Sequence, residues 1–118
     1  MVRLVVVLFI GILSFSAQAQ DKNKRISFEV LGNCPMCEER IEKASLQVSG
    51  VKYASWSAAE QSLTLIINTR KCTPDKVKIA IAAVGHDTDS FKASDSIYKT
   101  LPACCKYRDP GSTHLDHH

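Results

Sequence analysis

Arg25-Ile26-Ser27-Phe28-Glu29-Val30-Leu31-Gly32-Asn33-Cys34-Pro35-Met36-Cys37-Glu38-Glu39-Arg40-Ile41 is the stretch on which the fold turns. Ile26, Phe28 and Val30 alternate with Ser27 and Glu29, the period of a half-buried strand. The period then changes. Cys37, Ile41, Ala44 and Val48 fall at spacings of four, three and four, one face of a helix that ends near Ser49-Gly50. Between strand and helix lies Cys34-Pro35-Met36-Cys37. Two thiols at this spacing can close on one soft metal ion or form one short-loop disulfide. The second thiol stands at a helix N-terminus, where the dipole favours thiolate, the form that ligates metal. A strand, a CxxC and a helix in this order therefore predict a soft-metal or redox site.

The rest of the chain extends the pattern. Val51 to Ser57, rich in Val, Tyr and Trp, predicts a second strand. Ala58-Ala59-Glu60-Gln61 is the expected turn, without the Asn-Gly or Asp-Gly of a tight hairpin, and Leu63, Leu65 and Ile67 mark a third strand. Thr73-Pro74-Asp75 is a helix start: a hydroxyl at the N-cap, proline at the first position, an acid facing the dipole. Val77, Ala80, Ile81 and Val84 continue that helix, and Gly85 closes it. His86 to Phe91 is expected as a short last strand, and Ser96 to Leu101 as one helical turn before Pro102. The order β-α-β-β-α-β predicts an α+β fold: a ferredoxin-like sandwich with a four-stranded antiparallel sheet, followed by a tail that carries Cys104-Cys105.

The ends set the context. Arg3, the apolar run Leu4 to Leu13 and the small-x-small Ala17-Gln18-Ala19 follow the plan of a secretory signal peptide. A spanning helix needs about 20 apolar residues, and this run is about half that. Residues 1–19 are thus expected to be removed on export to the periplasm or outside the cell, with 20–24 a disordered N-terminus. The 99 residues that remain make one small domain with little room for a large cleft. Without Arg3 there are 14 basic and 12 acidic residues, and no basic cluster is interleaved with aromatics, which argues against nucleic acid as a partner. Neither a Ser/His/Asp constellation nor a glycine-rich phosphate loop is present. Five cysteines cannot all be paired within one chain, so at least one is free, metal-bound or shared between chains.

With the CxxC in its first strand-to-helix loop, the chain resembles the heavy-metal-associated domain over residues 25–92, leaving 93–118 as the tail. That family includes copper chaperones, modules of copper-transporting ATPases and mercuric-ion binding proteins, and its loop usually reads Gly-Met-x-Cys-x-x-Cys. The matching stretch here is Leu31-Gly32-Asn33-Cys34-Pro35-Met36-Cys37, with both cysteines kept and Leu31 and Gly32 replacing Gly and Met; Gly50-Val51 and Gly85-His86-Asp87 also fit the pattern. The resemblance implies Cys34 and Cys37 as ligands of Cu(I), with Hg(II), Zn(II) or Cd(II) also suited to thiolates. It further implies a metal-donating or metal-accepting partner such as a copper-transporting ATPase, contact with membranes only through that partner, and a monomer or metal-bridged dimer.

Topology puts the loop of His86 at the CxxC end, so His86 is either a third ligand, a tuning group, or a loop histidine without metal contact. Cys72 is expected at the opposite end. From Phe91 the tail can reach about 40 Å, far enough for Cys104 and Cys105 to join the metal or to be stapled to Cys72. His114, His117 and His118 read equally as a weak metal-collecting tail or as a non-native addition, and carry no further functional weight. The leading expectation is a binding and transfer or detoxification protein rather than an enzyme. The alternatives are a thiol–disulfide oxidoreductase using Cys-Pro-x-Cys, or a mercuric-ion scavenger. Against the oxidoreductase, its usual fold needs a later proline opening a strand beside the cysteines, whereas Pro74 opens a helix.

Overall fold

The alternation at 26–30 survives folding as β1 (Asn23–Glu29), in which Phe28 is buried, Ile26 half-buried, and Ser27 and Glu29 exposed. The structure, a computed structural model, describes residues 22–109, so the expected signal peptide and the His114, His117 and His118 tail lie outside the described residues. β1 begins before the expected Arg25. The Thr69 N–H and hydroxyl both donate to the Lys22 carbonyl, at 2.8 and 3.0 Å. That grip lets Asn23 and Lys24, expected to be frayed, pair with Asn68 and Ile67.

Cys34, in extended backbone (φ −130°, ψ 171°), precedes α1 (Pro35–Leu46). Pro35 takes the first helical position, where a missing N–H leaves no bond unmade. The N–H groups of Cys37 and Glu38 donate to the Cys34 carbonyl at 2.9 and 3.1 Å, which winds the first turn around the CxxC. Cys37, Ile41, Ala44 and Ser45 form the buried face.

β2 (Val51–Ser57) and β3 (Ser62–Asn68) complete a three-stranded antiparallel sheet of order β1-β3-β2. Leu63, Leu65 and Ile67, on the central strand, are the floor of the core. The turn between these strands contains no glycine, and Gln61 itself adopts φ 51°. In that pose its carbonyl accepts from Val30 N–H at 3.0 Å and its Oε1 from Gly32 N–H at 3.1 Å, so the turn braces the loop that leads to Cys34.

α2 (Pro74–Ala83) buries Val77 and Ile81. Thr73 stands at its N-cap as expected, but the hydroxyl makes no cap bond and Pro74 alone sets the start. Gly85 ends the turn that follows at φ 112°, where a Cβ would stand 2.8 Å from Leu101 Cδ2.

The expected fourth strand is reduced to one bridge, Val30 with Thr88, plus a bond from Leu31 N–H to the Asp87 carbonyl at 2.9 Å. The sheet is therefore three-stranded, not four-stranded. The reason is local: the Thr88 hydroxyl accepts from Phe91 N–H at 2.9 Å, and Thr88 N–H donates to the Phe91 carbonyl at 2.8 Å. This closes a tight turn before any ladder can extend. Asp87 meanwhile accepts from Ala93 N–H at 2.8 Å, steering the chain back over the domain. There α3 (Asp95–Tyr98), capped by Ser94, and a 3-10 turn (Ala103–Cys105) bring the tail against α1. Among the described residues no helix is long and apolar enough to cross a membrane.

Candidate metal centre

The first turn of α1 and the 3-10 turn of the tail present their sulfurs to each other. Cys34 Sγ lies 3.4 Å from Cys37 Sγ, 3.2 Å from Cys104 Sγ and 3.2 Å from Cys105 Sγ. Cys104 and Cys105 are 3.9 Å apart, and the Met36 thioether is 3.6 Å from Cys104. The sulfurs of Cys34, Cys104 and Cys105 all lie within 4.8 Å of one another, a donor set of the kind that soft ions select. Cys37 and Cys105 are wholly buried, Cys34 partly so, and Cys104 faces solvent.

The thiol most easily ionised is one that the helix dipole alone would not single out. Burial opposes ionisation of Cys34, but hydrogen bonds shared with Cys104 and Cys105, and others to Cys37, outweigh it and bring the group down to about 7. Burial dominates at Cys37 and pushes it up, against the dipole argument made for it. Cys104 is pushed up to about 11 by its hydrogen bond with Cys34, and Cys105 to about 12, chiefly by burial. Cys34 is thus the thiol of the cluster that ionises first, and near neutral pH its thiolate is substantially populated and accepts from neighbouring thiols.

His86 stands behind this cluster. It is fully buried; its Nδ1–H donates to the Leu31 carbonyl at 2.8 Å, which leaves the Nε2 lone pair facing Arg40 Nη1 at 3.5 Å. Arg40 Nη1 in turn donates to Cys105 Sγ at 3.3 Å. The imidazole therefore touches the arginine that touches the sulfur. Burial, with the Arg40 charge adding to it, lowers His86 to about 4, so the ring is neutral. Arg40 escaped the sequence reading, although a residue three positions after Cys37 on a helix shares its face.

The tail is fastened by residues that follow the cysteines. Tyr107 stacks on His86 with ring centroids 5.4 Å apart, donates its hydroxyl to the Gly85 carbonyl at 2.6 Å, and accepts from Asp87 N–H at 2.9 Å. Arg108 forks onto Asp87 with bonds of 3.0 and 2.6 Å, reaches the Ala93 carbonyl at 2.7 Å, and lies over the Tyr98 ring at 4.4 Å. Burial opposes the Asp87 charge, but these donors hold its carboxyl below the usual range. No motif announced this clamp, since its partners are separated by up to about a fifth of the chain.

Two further features shape the loop. The Trp56 indole donates to the Val30 carbonyl at 2.9 Å, and a Cβ at Gly32 would stand 3.1 Å from both its ring edge and Cys37 Cβ. Gly32, where the resembling family carries Met, thus leaves room for Trp56 to fill the space beneath the thiols. Asn33 is buried with its Nδ2 unpartnered, a cost of about 1–3 kcal/mol concentrated in the loop. Cys72 is elsewhere: buried, it donates to the Thr73 carbonyl at 3.4 Å and abuts Gly50. All five cysteines are free thiols.

No family model and no curated protein matches the sequence. Solved structures do. The fold is similar to a CopZ metallochaperone (TM-score 0.54, 23% identity, 55% of this chain and 98% of that one). It is also similar to oxidized MerP from Ralstonia metallidurans CH34 (0.54, 20%, 57% and 94%). A third likeness is to the N-terminal domain of a potential copper-translocating P-type ATPase from Bacillus subtilis, solved Cu(I)-loaded (0.53, 25%, 56% and 84%). The resemblance to the heavy-metal-associated domain thus holds in the fold. These compact neighbours are matched almost whole by little more than half of this chain, which leaves it substantial sequence of its own.

Proposed function

We propose that this chain binds a soft metal ion, Cu(I), outside the cytoplasm through Cys34 and Cys37 and hands it to a partner's thiolates. The observation that carries the reading is the pair itself: two thiols 3.4 Å apart at the start of α1, one of them brought to about 7, on a sheet-and-helix frame shared with metallochaperones. A thiolate available at neutral pH ligates soft ions without a large proton penalty. The Cu(I)-loaded neighbour supports copper as the cargo, and thiolate softness admits Hg(II), Cd(II) and Zn(II) as competitors. In transfer, a partner thiolate adds to the dithiolate-bound ion, a three-coordinate species forms, and one of this chain's sulfurs leaves. The partner that fits is a domain with its own CxxC, such as that of a copper-transporting ATPase. The amino-terminal pattern of Arg3, Leu4 to Leu13 and Ala17-Gln18-Ala19 supports export to the periplasm or beyond.

The test is titration of the reduced chain with Cu(I), Hg(II) and Zn(II) against a chromophoric chelator, followed by mixing the loaded chain with an apo CxxC domain. One Cu(I) held per chain and recovered on the acceptor is the expected result. Failure to compete with the chelator would overturn the reading. Insulin reduction that vanishes in Cys34→Ser would replace it with thiol–disulfide exchange.

A further inference from the structure

We propose that Cys104 and Cys105 are metal ligands carried on a fastened strap, residues 94–109, and that with Cys34 they form a three-thiolate seat beside Cys37. The inference deepens the soft-metal reading and rests on it. A trigonal ion with metal–sulfur bonds of about 2.3 Å needs sulfurs about 4 Å apart. The three edges of the Cys34/Cys104/Cys105 triangle are 3.2, 3.2 and 3.9 Å, so the seat forms with sulfur shifts of under about 1 Å.

The strap that holds this geometry is built for it. Leu101 packs into the space that Gly85 leaves open, and Lys106 Nζ donates to the Tyr98 and Lys99 carbonyls at 3.1 and 2.8 Å. Tyr107 and Arg108 then close the far side onto Gly85 and Asp87. The cysteines are thus pinned from before and after. Loading releases the thiol protons to solvent and leaves three thiolates around a monovalent ion, a net negative site. The Arg40 guanidinium, 3.3 Å from Cys105 Sγ, supplies the compensating cation.

The consequence is retention. An acceptor must replace the strap's sulfurs in turn: two incoming thiolates each form one metal–sulfur bond as the bonds to Cys104 and Cys105 break. The bond to Cys34 then breaks to leave the ion two-coordinate on the acceptor, and each freed thiolate takes up a proton from solvent. The metal keeps its oxidation state throughout. The chain accordingly holds its ion more tightly and gives it up more slowly than a bare CxxC domain does.

X-ray absorption on the Cu(I)-loaded chain and cadmium-113 resonance on the Cd(II)-loaded chain count sulfurs directly. Wild type is expected to show three or more sulfurs per ion and the Cys104→Ser/Cys105→Ser chain two, with Cu(I) affinity reduced about tenfold or more. Two sulfurs in both proteins, or a mapped disulfide from either tail cysteine to Cys72, would overturn the proposal while leaving the Cys34/Cys37 reading intact. Loss of binding in every variant and in wild type would instead defeat the underlying reading. Should the buried Cys105 substitution unfold the chain, Cys104→Ser alone decides, because that residue is exposed: one sulfur fewer supports the seat, and an unchanged count overturns it.

Discussion

α1 and α2 start alike. Each follows an extended residue that makes no side-chain cap, each takes proline at its first position, and each has cysteine at hand: Cys34 and Cys37 for α1, Cys72 for α2. The thiols nonetheless differ. Burial pushes Cys72 up, with Lys76 only opposing it, whereas Cys34 is drawn down by sulfurs about 70 positions away in sequence. A helix start is therefore not enough to make a chemically active thiol. What a distant segment brings to that start decides the matter.

The harshest way to break the comparison is to delete one thiol from each end. Cys34→Ser is expected to lower Cu(I) affinity by orders of magnitude, because the one low-lying thiolate and the corner of the sulfur triangle are lost together. Cys72→Ser should leave it unchanged in the same chelator competition. Equal losses would mean that the two helix starts are not distinct.

The next test concerns the buried imidazole that, among the described residues, stands at the α1 end. His86 is lowered from 6.5 to about 4 in the folded chain, so below pH 6.5 the unfolded chain takes up a proton that the folded chain refuses. Stability is then full above pH 6.5 and falls by about 3 kcal/mol as pH drops to 4. Urea midpoints measured across that range should lose this slope in His86→Gln.

A smaller effect is expected from the clamp. Arg108→Gln removes the fork on Asp87 and should cost about 1–3 kcal/mol, read as a lower melting temperature. Tail amides near Cys105 should exchange hydrogen faster in that variant, while those of α2 stay protected. Last comes Cys72→Ala, a single small truncation at the end without chemistry, expected to cost about 1 kcal/mol and to leave the metal untouched.

The strands and helices were legible because each obeys a local period: Ile26, Phe28 and Val30 in twos, Cys37, Ile41 and Ala44 in threes and fours. The position of the CxxC at the start of α1 followed from that alone. The missing fourth strand was not legible, since the hydroxyl of Thr88 closes its turn in a stretch with ordinary strand composition. Nor could spacing choose between Cys34 and Cys72 as neighbours of Cys104 and Cys105; the choice depends on Tyr107 and Arg108 finding Gly85 and Asp87. Such long-range pairing leaves no periodic trace. Cys37 departs from the dipole expectation for a related reason: the burial that the rest of the chain imposes on it pushes the thiol up.

Trp56 is the only tryptophan, and its ring edge shares the space at Gly32 with the Cβ of Cys37. The protein therefore carries its own optical reporter. Emission from this dry indole should be blue-shifted, and a heavy ion seated on Cys37 should quench it without any added dye. Loading, exchange with an acceptor and lifting of the tail thereby become events that a stopped-flow fluorimeter can time in the unlabelled chain.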